Sequence, residues 1–317
     1  MNGKRKGPSR SGGFTYPRRV AFGECDPARI YYTPRAIDYC VEAIEAWWES
    51  TLSATWSGML ARRGLEVRFL HAGSEFLRPL TVGQVVRVGV RVPEAGRTRL
   101  SFRVTGQEGS GEPNFRALLE VGLFDRRRRA MVPIPGEVRE RIARYEAACG
   151  HGEELPERER GRRPPRGPRR FPKGLFARTV RVVFGDCSPS GTVYPPKIFG
   201  YAVEAVGEWF EEVPGISWLA LVSVRKQGAP AVAASCDFHR PMTAGQAVAV
   251  GVRVTRLGRA SIGLSVEGND PDGLPLFDSR ITLCYIDQEG GFRSMPIPEE
   301  FRRRIREYRA ACGDGGG

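Results

Sequence analysis

Two stretches of the chain carry the residue types that do chemistry. FGECDPARIYYTP runs from Phe22 to Pro34, and FGDCSPSGTVYPP runs from Phe184 to Pro196. They align position for position, yet Asp26 of the first stands where Ser188 stands in the second. A carboxylate at such a place suits acid–base chemistry. The structural alternative is a helix N-cap, a role that Asp and Ser fill equally well. Glu24 and Asp186 are the other shared acidic position and read as solvated or capping carboxylates. Cys25 and Cys187, with no nearby His and no cue for a low thiol pKa, read as small hydrophobes. Ser188 is not in a G-x-S-x-G elbow. His71 and His239 do not match between the copies and read as structural. The 3 His and 7 Cys show no metal-ligand spacing, so no metal and no cofactor is expected.

The elements that must position these residues also occur twice. A shift of 162 takes Cys25 onto Cys187 and EFLRPLTVGQ (75–84) onto DFHRPMTAGQ (237–246), and VPIP (132–135) recurs as MPIP (295–298) with a shift of 163. After each motif comes an amphipathic helix, with apolar residues at Ile37, Cys40, Val41, Ile44 and Trp48 in the first copy and Phe199, Ala202, Val203, Val206 and Phe210 in the second. Strands follow. Val86, Val88, Val90 and Val92 alternate with Arg87, Gly89 and Arg91, as a half-buried strand requires, and Val248–Val254 repeat the pattern. Further strands are expected near 98–105 and 115–125, with partners near 260–267 and 276–286, and a short helix closes each half. Trp47, Trp48 and Trp209 read as core or interface. The expected fold is α+β: in each half, one long helix covered by a curved antiparallel sheet.

This divides the chain into a basic tail (1–17), a first domain (18–150), an Arg/Pro-rich linker (151–177) and a second domain (178–313). The net charge is +13, and most of it lies in the tail and linker. Such segments read as solvated, or as attracting nucleic acid, an acidic carrier protein or a phosphate-rich cofactor. Only Phe171 interleaves the linker's basic run, which argues against nucleic-acid binding. No apolar run is long enough for a membrane span, and an odd number of cysteines without CxxC pairs fits a reducing cytoplasm.

With motif, helix and strand order in place, the chain resembles the hotdog-fold thioesterases of the 4-hydroxybenzoyl-CoA thioesterase type. The resemblance rests on the Gly23–Pro34 run, the helix after it and the LRPLTVGQVVRV segment, and it covers both halves. It implies two tandem hotdog domains forming an intrachain pseudo-dimer, with one active site between the halves. It makes Asp26 the nucleophile or general base at a thioester carbonyl, and it makes the backbone N–H seven residues on, that of Thr33, the oxyanion donor. Ser188 and Pro195 occupy these positions in the second copy, and proline has no N–H to give, so that copy reads as degenerate. Arg29 replaces the family's Gly, which Gly191 keeps, and could contact a substrate phosphate or carboxylate. Tyr32 and Tyr194 are candidate acyl contacts. Glu42 and Glu204, matched on the central helices, are outside candidates for the helical glutamate that some hotdog thioesterases use, with a structural hydrogen bond the favoured reading. The implied partner is an acyl-CoA or an acyl carrier protein, and further oligomerisation is left open. Two other readings stand beside hydrolysis: a non-catalytic acyl-thioester binder, and a dehydratase, against which the lack of His near either motif counts.

Overall fold

The structure is a computed structural model and describes residues 13–109, 111–149 and 167–312. The basic run of the tail and most of the linker lie outside the described residues. The chain forms two compact units. One holds Ala36 onward through the first half together with residues up to Ala21, and the other joins Phe22–Arg35 to the second half. The sequence boundary placed Phe22–Arg35 in the first domain. By its contacts, this motif segment packs with the second half instead.

In the first unit, the strands are β1 (Phe14–Arg19), β2 (Leu65–Phe76), β3 (Val85–Ala95), β4 (Leu100–Glu108), β5 (Phe115–Asp125) and β6 (Ala130–Val132). They run antiparallel in the order β1-β3-β4-β5-β2, with β6 on β5. Register shifts between Arg91 and Glu94, and between Phe69 and His71, bend the strands. The long helix α1 (Arg35–Leu52) buries all five residues of its expected apolar stripe. Trp47 and Trp48 are fully enclosed, and the Trp47 ring meets Phe102 of β4 edge-on at 5.3 Å. Deleting such a side chain costs about 3–5 kcal/mol. The short helix α2 (Trp56–Arg63) was not expected. It buries no residue, so it has no periodic signal, and its ends are set by Thr55, which accepts from Gly58 N–H, and by Gly64 at φ 65°. Helix α3 (Gly136–Cys149) closes the unit; its Tyr145 hydroxyl donates to the Val90 carbonyl and accepts the Phe14 N–H.

The second unit repeats the plan. Its strands β7 (Phe176–Arg181), β9 (Ala231–Phe238), β10 (Ala247–Leu257), β11 (Ser261–Asn269) and β12 (Pro275–Cys284) are ordered β7-β10-β11-β12-β9. The long helix α4 (Pro195–Glu212) packs on β7, β10 and β11. Helix α5 (Trp218–Ser223) is the partner of α2, and α6 (Glu299–Ala311) that of α3. A small sheet of β8 (Gln227–Gly228), β13 (Ile286–Asp287) and β14 (Arg293–Ser294) is peculiar to this half among the described residues. One packing detail recurs in both halves. A Cβ at Gly106 would lie 2.1 Å from the Phe115 ring, and one at Gly268 would lie 2.1 Å from Phe277. The matched phenylalanines lie flat over bare backbone, which is why both positions are glycine.

Two boundaries differ from the sequence reading. Strand β1 begins at Phe14, inside the segment taken as tail, because successive residues there pair with β3 from Phe14↔Val90 onward. The last part of the linker is also held down. Arg169 forks onto both Asp278 oxygens at 3.0 Å and reaches Glu267 at 3.5 Å, and His239 Nε2 meets the same Asp278 at 3.0 Å. No described helix is long and apolar enough to cross a membrane.

Candidate active site

The two motifs fold into the same loop. A 3₁₀ turn (Phe22–Glu24 or Phe184–Asp186) leads to a bridge pairing Cys25 with Tyr31 or Cys187 with Val193. Asp26 N–H donates to the Ile30 carbonyl (2.9 Å) and Arg29 N–H to the Asp26 carbonyl (2.8 Å); Ser188 N–H to Thr192 and Gly191 N–H to Ser188 repeat both bonds at 2.8 Å. The turn needs a left-handed residue at its fourth position. Gly191 supplies it at φ 80°, whereas Arg29 adopts φ 63°, a conformation costing a side-chain-bearing residue about 1–2 kcal/mol.

Neither shared-position residue caps the long helix. Helix α1 starts at Arg35 and α4 at Pro195, several residues past Asp26 and Ser188. Asp26 closes its own turn, accepting the Ala28 N–H on Oδ1 at 2.8 Å. Ser188 instead donates to the Thr192 carbonyl at 3.2 Å and shares a 2.8 Å contact with Ser190 Oγ. The capping alternative therefore fails on position.

Asp26 opens onto a cavity of about 200 Å³ within the second unit. Pro27, Ala28, Ile30, Tyr32 and Thr33 continue that wall. Opposite stand Val203, Glu204 and Val206 of α4, then Trp218, Leu219, Leu221 and Val222 around α5. Residues Gly228–Ala231, Ile281 and Leu283, and the β13–β14 hairpin with Ile286, Gln288 and Phe292, complete the lining. The lining is apolar apart from a few groups, and among the described residues its only charged ones are Asp26 and Glu204. Burial holds the Asp26 carboxyl above the ordinary aspartate range, against hydrogen bonds from the Ala28 and Ile30 backbone that pull it down. The Tyr32 hydroxyl donates to Glu204 Oε1 at 2.8 Å. Burial, then the Glu204 carboxylate, pushes the Tyr32 phenol well above its usual range. Thr33 N–H has no acceptor among the described residues, because α1 begins only two residues later with Arg35 N–H on the Tyr32 carbonyl.

Of the residues singled out by sequence, the cavity brings together Asp26, Thr33, Tyr32 and Glu204. Arg29 is exposed and does not line it; Tyr194, Ser188 and Pro195 do not line it either. Asp186, the second copy's other acid, is held by the Tyr201 hydroxyl (2.6 Å) and Lys197 (3.5 Å). The matched glutamates have parted: Glu42 pairs with Arg18 at 3.0 Å, whereas Glu204 faces the cavity. Sequence matching gave both the same two readings, a structural hydrogen bond or an outside catalytic candidate, and could not tell them apart. Helix α5 and the Gln288–Phe292 hairpin were missed, and only the Ser217 cap and the Gly290-Gly291 turn could have announced them.

A pair of halves in which a five-stranded antiparallel sheet covers one long helix defines a tandem hotdog protein. Residues 20–142 match the thioesterase-like superfamily, and residues 190–276 match the thioesterase superfamily. The chain belongs to the thioesterase superfamily, as two domains in tandem, and its class of reaction is thioester hydrolysis. Solved structures share the fold across nearly the whole chain. An oleoyl thioesterase (putative) from Lactobacillus plantarum has TM-score 0.67 at 16% identity, covering 90% of this chain and 97% of its own. The 12:0-ACP thioesterase from Umbellularia californica has TM-score 0.67 at 15%, covering 86% and 94%. An acyl-ACP thioesterase from Bacteroides thetaiotaomicron has TM-score 0.63 at 10%, covering 85% and 97%. No curated protein matches by sequence.

Proposed function

We propose that the chain hydrolyses an acyl thioester at a single site, the cavity under Asp26. The observation that carries this reading is that Asp26 and Thr33, whose N–H has no acceptor among the described residues, line one apolar cavity. As general base, Asp26 takes a proton from water as the water oxygen bonds to the thioester carbon. The carbonyl oxygen gains the negative charge and is met by the Thr33 N–H. Collapse of the tetrahedral intermediate breaks the C–S bond, and the thiolate leaves and takes up a proton. As nucleophile, Asp26 would bond to the same carbon and expel the thiolate, and water would then cleave the anhydride. Both routes use the same two groups.

The second copy lacks both groups, and its family match starts at residue 190, past Ser188. With two carboxylates and no cation in the lining, the cavity suits a neutral, apolar acyl group. A second carboxylate on the acyl chain would be buried without a partner. The thiol carrier is coenzyme A or a carrier protein; two of the solved structures that share the fold are acyl-carrier-protein thioesterases. The test is thiol release from a panel of aliphatic and aromatic acyl-CoAs by the parent and by Asp26→Ala. Release by the parent that the variant loses supports the reading. Equal release by both places the chemistry elsewhere. Binding of the thioesters without release by the parent would instead establish a non-catalytic binder.

A further inference from the structure

The two halves diverge most in charge at one repeated element, the end of the short helix and the hairpin beside it. In the second half these are the end of α5 and the Asp287–Ser294 hairpin, with Gln288, Glu289, Gly290 and Gly291 at its tip. The matching stretch of the first half, after Asp125, reads Arg126, Arg127, Arg128, Arg129. Helix α2 ends in Arg62 and Arg63. The fold joins the two: Arg126 N–H donates to the Gly64 carbonyl at 3.0 Å, and Leu65 pairs with Asp125. All six guanidinium groups are exposed. Arg128 has Asp125 at 3.7 Å, and the other five have no carboxylate partner among the described residues. In the second half, Arg225, the counterpart of Arg63, is paired with Glu300 at 2.7 Å.

Packing and turn chemistry do not account for this cluster. Exposed side chains bury nothing, and like charges at this density repel one another. Arg129 sits at φ 52°, where the other hairpin uses Gly291 at φ 78° followed by Phe292 at φ 60°. The one left-handed position of this turn, which favours Gly or Asn, has been given to arginine, at the end of a run of four.

We infer that Arg62, Arg63 and Arg126–Arg129 form a docking surface for an acidic protein. The charges are spread over a hairpin tip and a helix end. Small anions are bound tightly in concave sites, whereas a dispersed field of this kind steers and orients a partner that is itself extended and negative. Single-stranded nucleic acid is disfavoured because Phe124, two residues before Arg126, has one ring face covered by Arg68 at 3.2 Å, and a duplex, which binds through its phosphates, is an arm of the test. This inference stands apart from the catalytic reading and does not depend on it.

The test uses the full-length protein and fluorescent poly-L-glutamate as the acidic probe, at fixed ionic strength. The variants are R126S/R127S/R128S/R129S, R62S/R63S, and K4S/R5S/K6S/R10S in the tail. The expected result is a loss of affinity of about tenfold or more for the hairpin variant and a smaller loss for the helix-end pair, with the tail variant within about twofold of the parent. Thermal melts report folding, and if the hairpin variant melts early, the helix-end pair decides. Parent-like binding by both arginine variants, or a loss confined to the tail variant, overturns the proposal. So does a DNA duplex or coenzyme A that displaces the probe through the same arginines more effectively than an acidic protein does.

Discussion

Replacing Asp26 with Ser gives the first motif the residue its own twin already carries. The second copy shows that the loop folds around Ser188, with the same two backbone bonds and the same left-handed fourth residue. The substitution removes one hydrogen bond, from Ala28 N–H to Oδ1 at 2.8 Å, worth about 0.5–1.5 kcal/mol net. It also removes a half-buried carboxylate. Because burial raises the folded pKa of Asp26, the protonated form is favoured by folding. The group's contribution is therefore lost as pH rises from the ordinary aspartate value of about 3.9 through the raised folded value, and at neutral pH the ionised side chain is a cost. The two effects oppose each other, so Asp26→Ser is expected to keep its stability within about 1 kcal/mol at pH 7, and its stability relative to the parent should improve as pH rises through that window. Catalysis has no such offset. Losing the base removes about 10²–10⁴-fold from kcat, or about 3–5 kcal/mol of transition-state stabilisation. The parent's kcat/KM should fall on the acid side with a midpoint above the ordinary aspartate range, and the variant should lack that limb. The assays are thiol release across pH and denaturant melts. A variant that folds and loses less than about tenfold in kcat would refute the role of Asp26.

Thr33→Pro copies Pro195 and deletes the candidate oxyanion donor; kcat should fall about 10²–10³-fold with little change in KM, and a pure KM effect would make Thr33 a binding residue. Among acyl-CoAs of equal length, neutral acyl chains should be cleaved at least about tenfold faster than ω-carboxylated ones, because the lining offers two carboxylates and no cation; the ratio of kcat/KM values measures this. Tyr32→Phe removes the hydrogen bond to Glu204 and should cost about 0.5–1.5 kcal/mol in a denaturant melt. Arg169→Ala should destabilise by about 1–3 kcal/mol at pH 7. Burial raises the Asp278 pKa, but hydrogen bonds from His239 and Arg169 together outweigh it and leave it low. Its stabilisation is thus present above the unfolded aspartate value and lost as pH falls through the folded one, so the gap between parent and Arg169→Ala should close in acid.

Much of the molecule was legible in the chain alone. The 162-residue repeat, the apolar stripes of α1 and α4, and the alternation of Val86–Val92 are local signals, and local periodicity follows from the 3.6- and 2-residue geometry of helix and strand. The same is true of the paired motifs and of their difference at Asp26 and Ser188, since a substitution between repeats is visible without coordinates. Other features depended on contacts between residues far apart in sequence. Helix α2 escaped notice because it buries nothing, and Phe14 and Arg169 because each is held by partners more than one hundred residues away. Glu42 and Glu204 are matched residues on matched helices, yet one pairs with Arg18 and the other meets Tyr32 across a cavity. Residue identity and spacing determined the repeat, the fold class and the candidate carboxylate. Tertiary structure alone decided which α4 glutamate, hairpin and short helix enclose that carboxylate, because burial and hydrogen-bond partners belong to the packed chain and not to any window of its sequence.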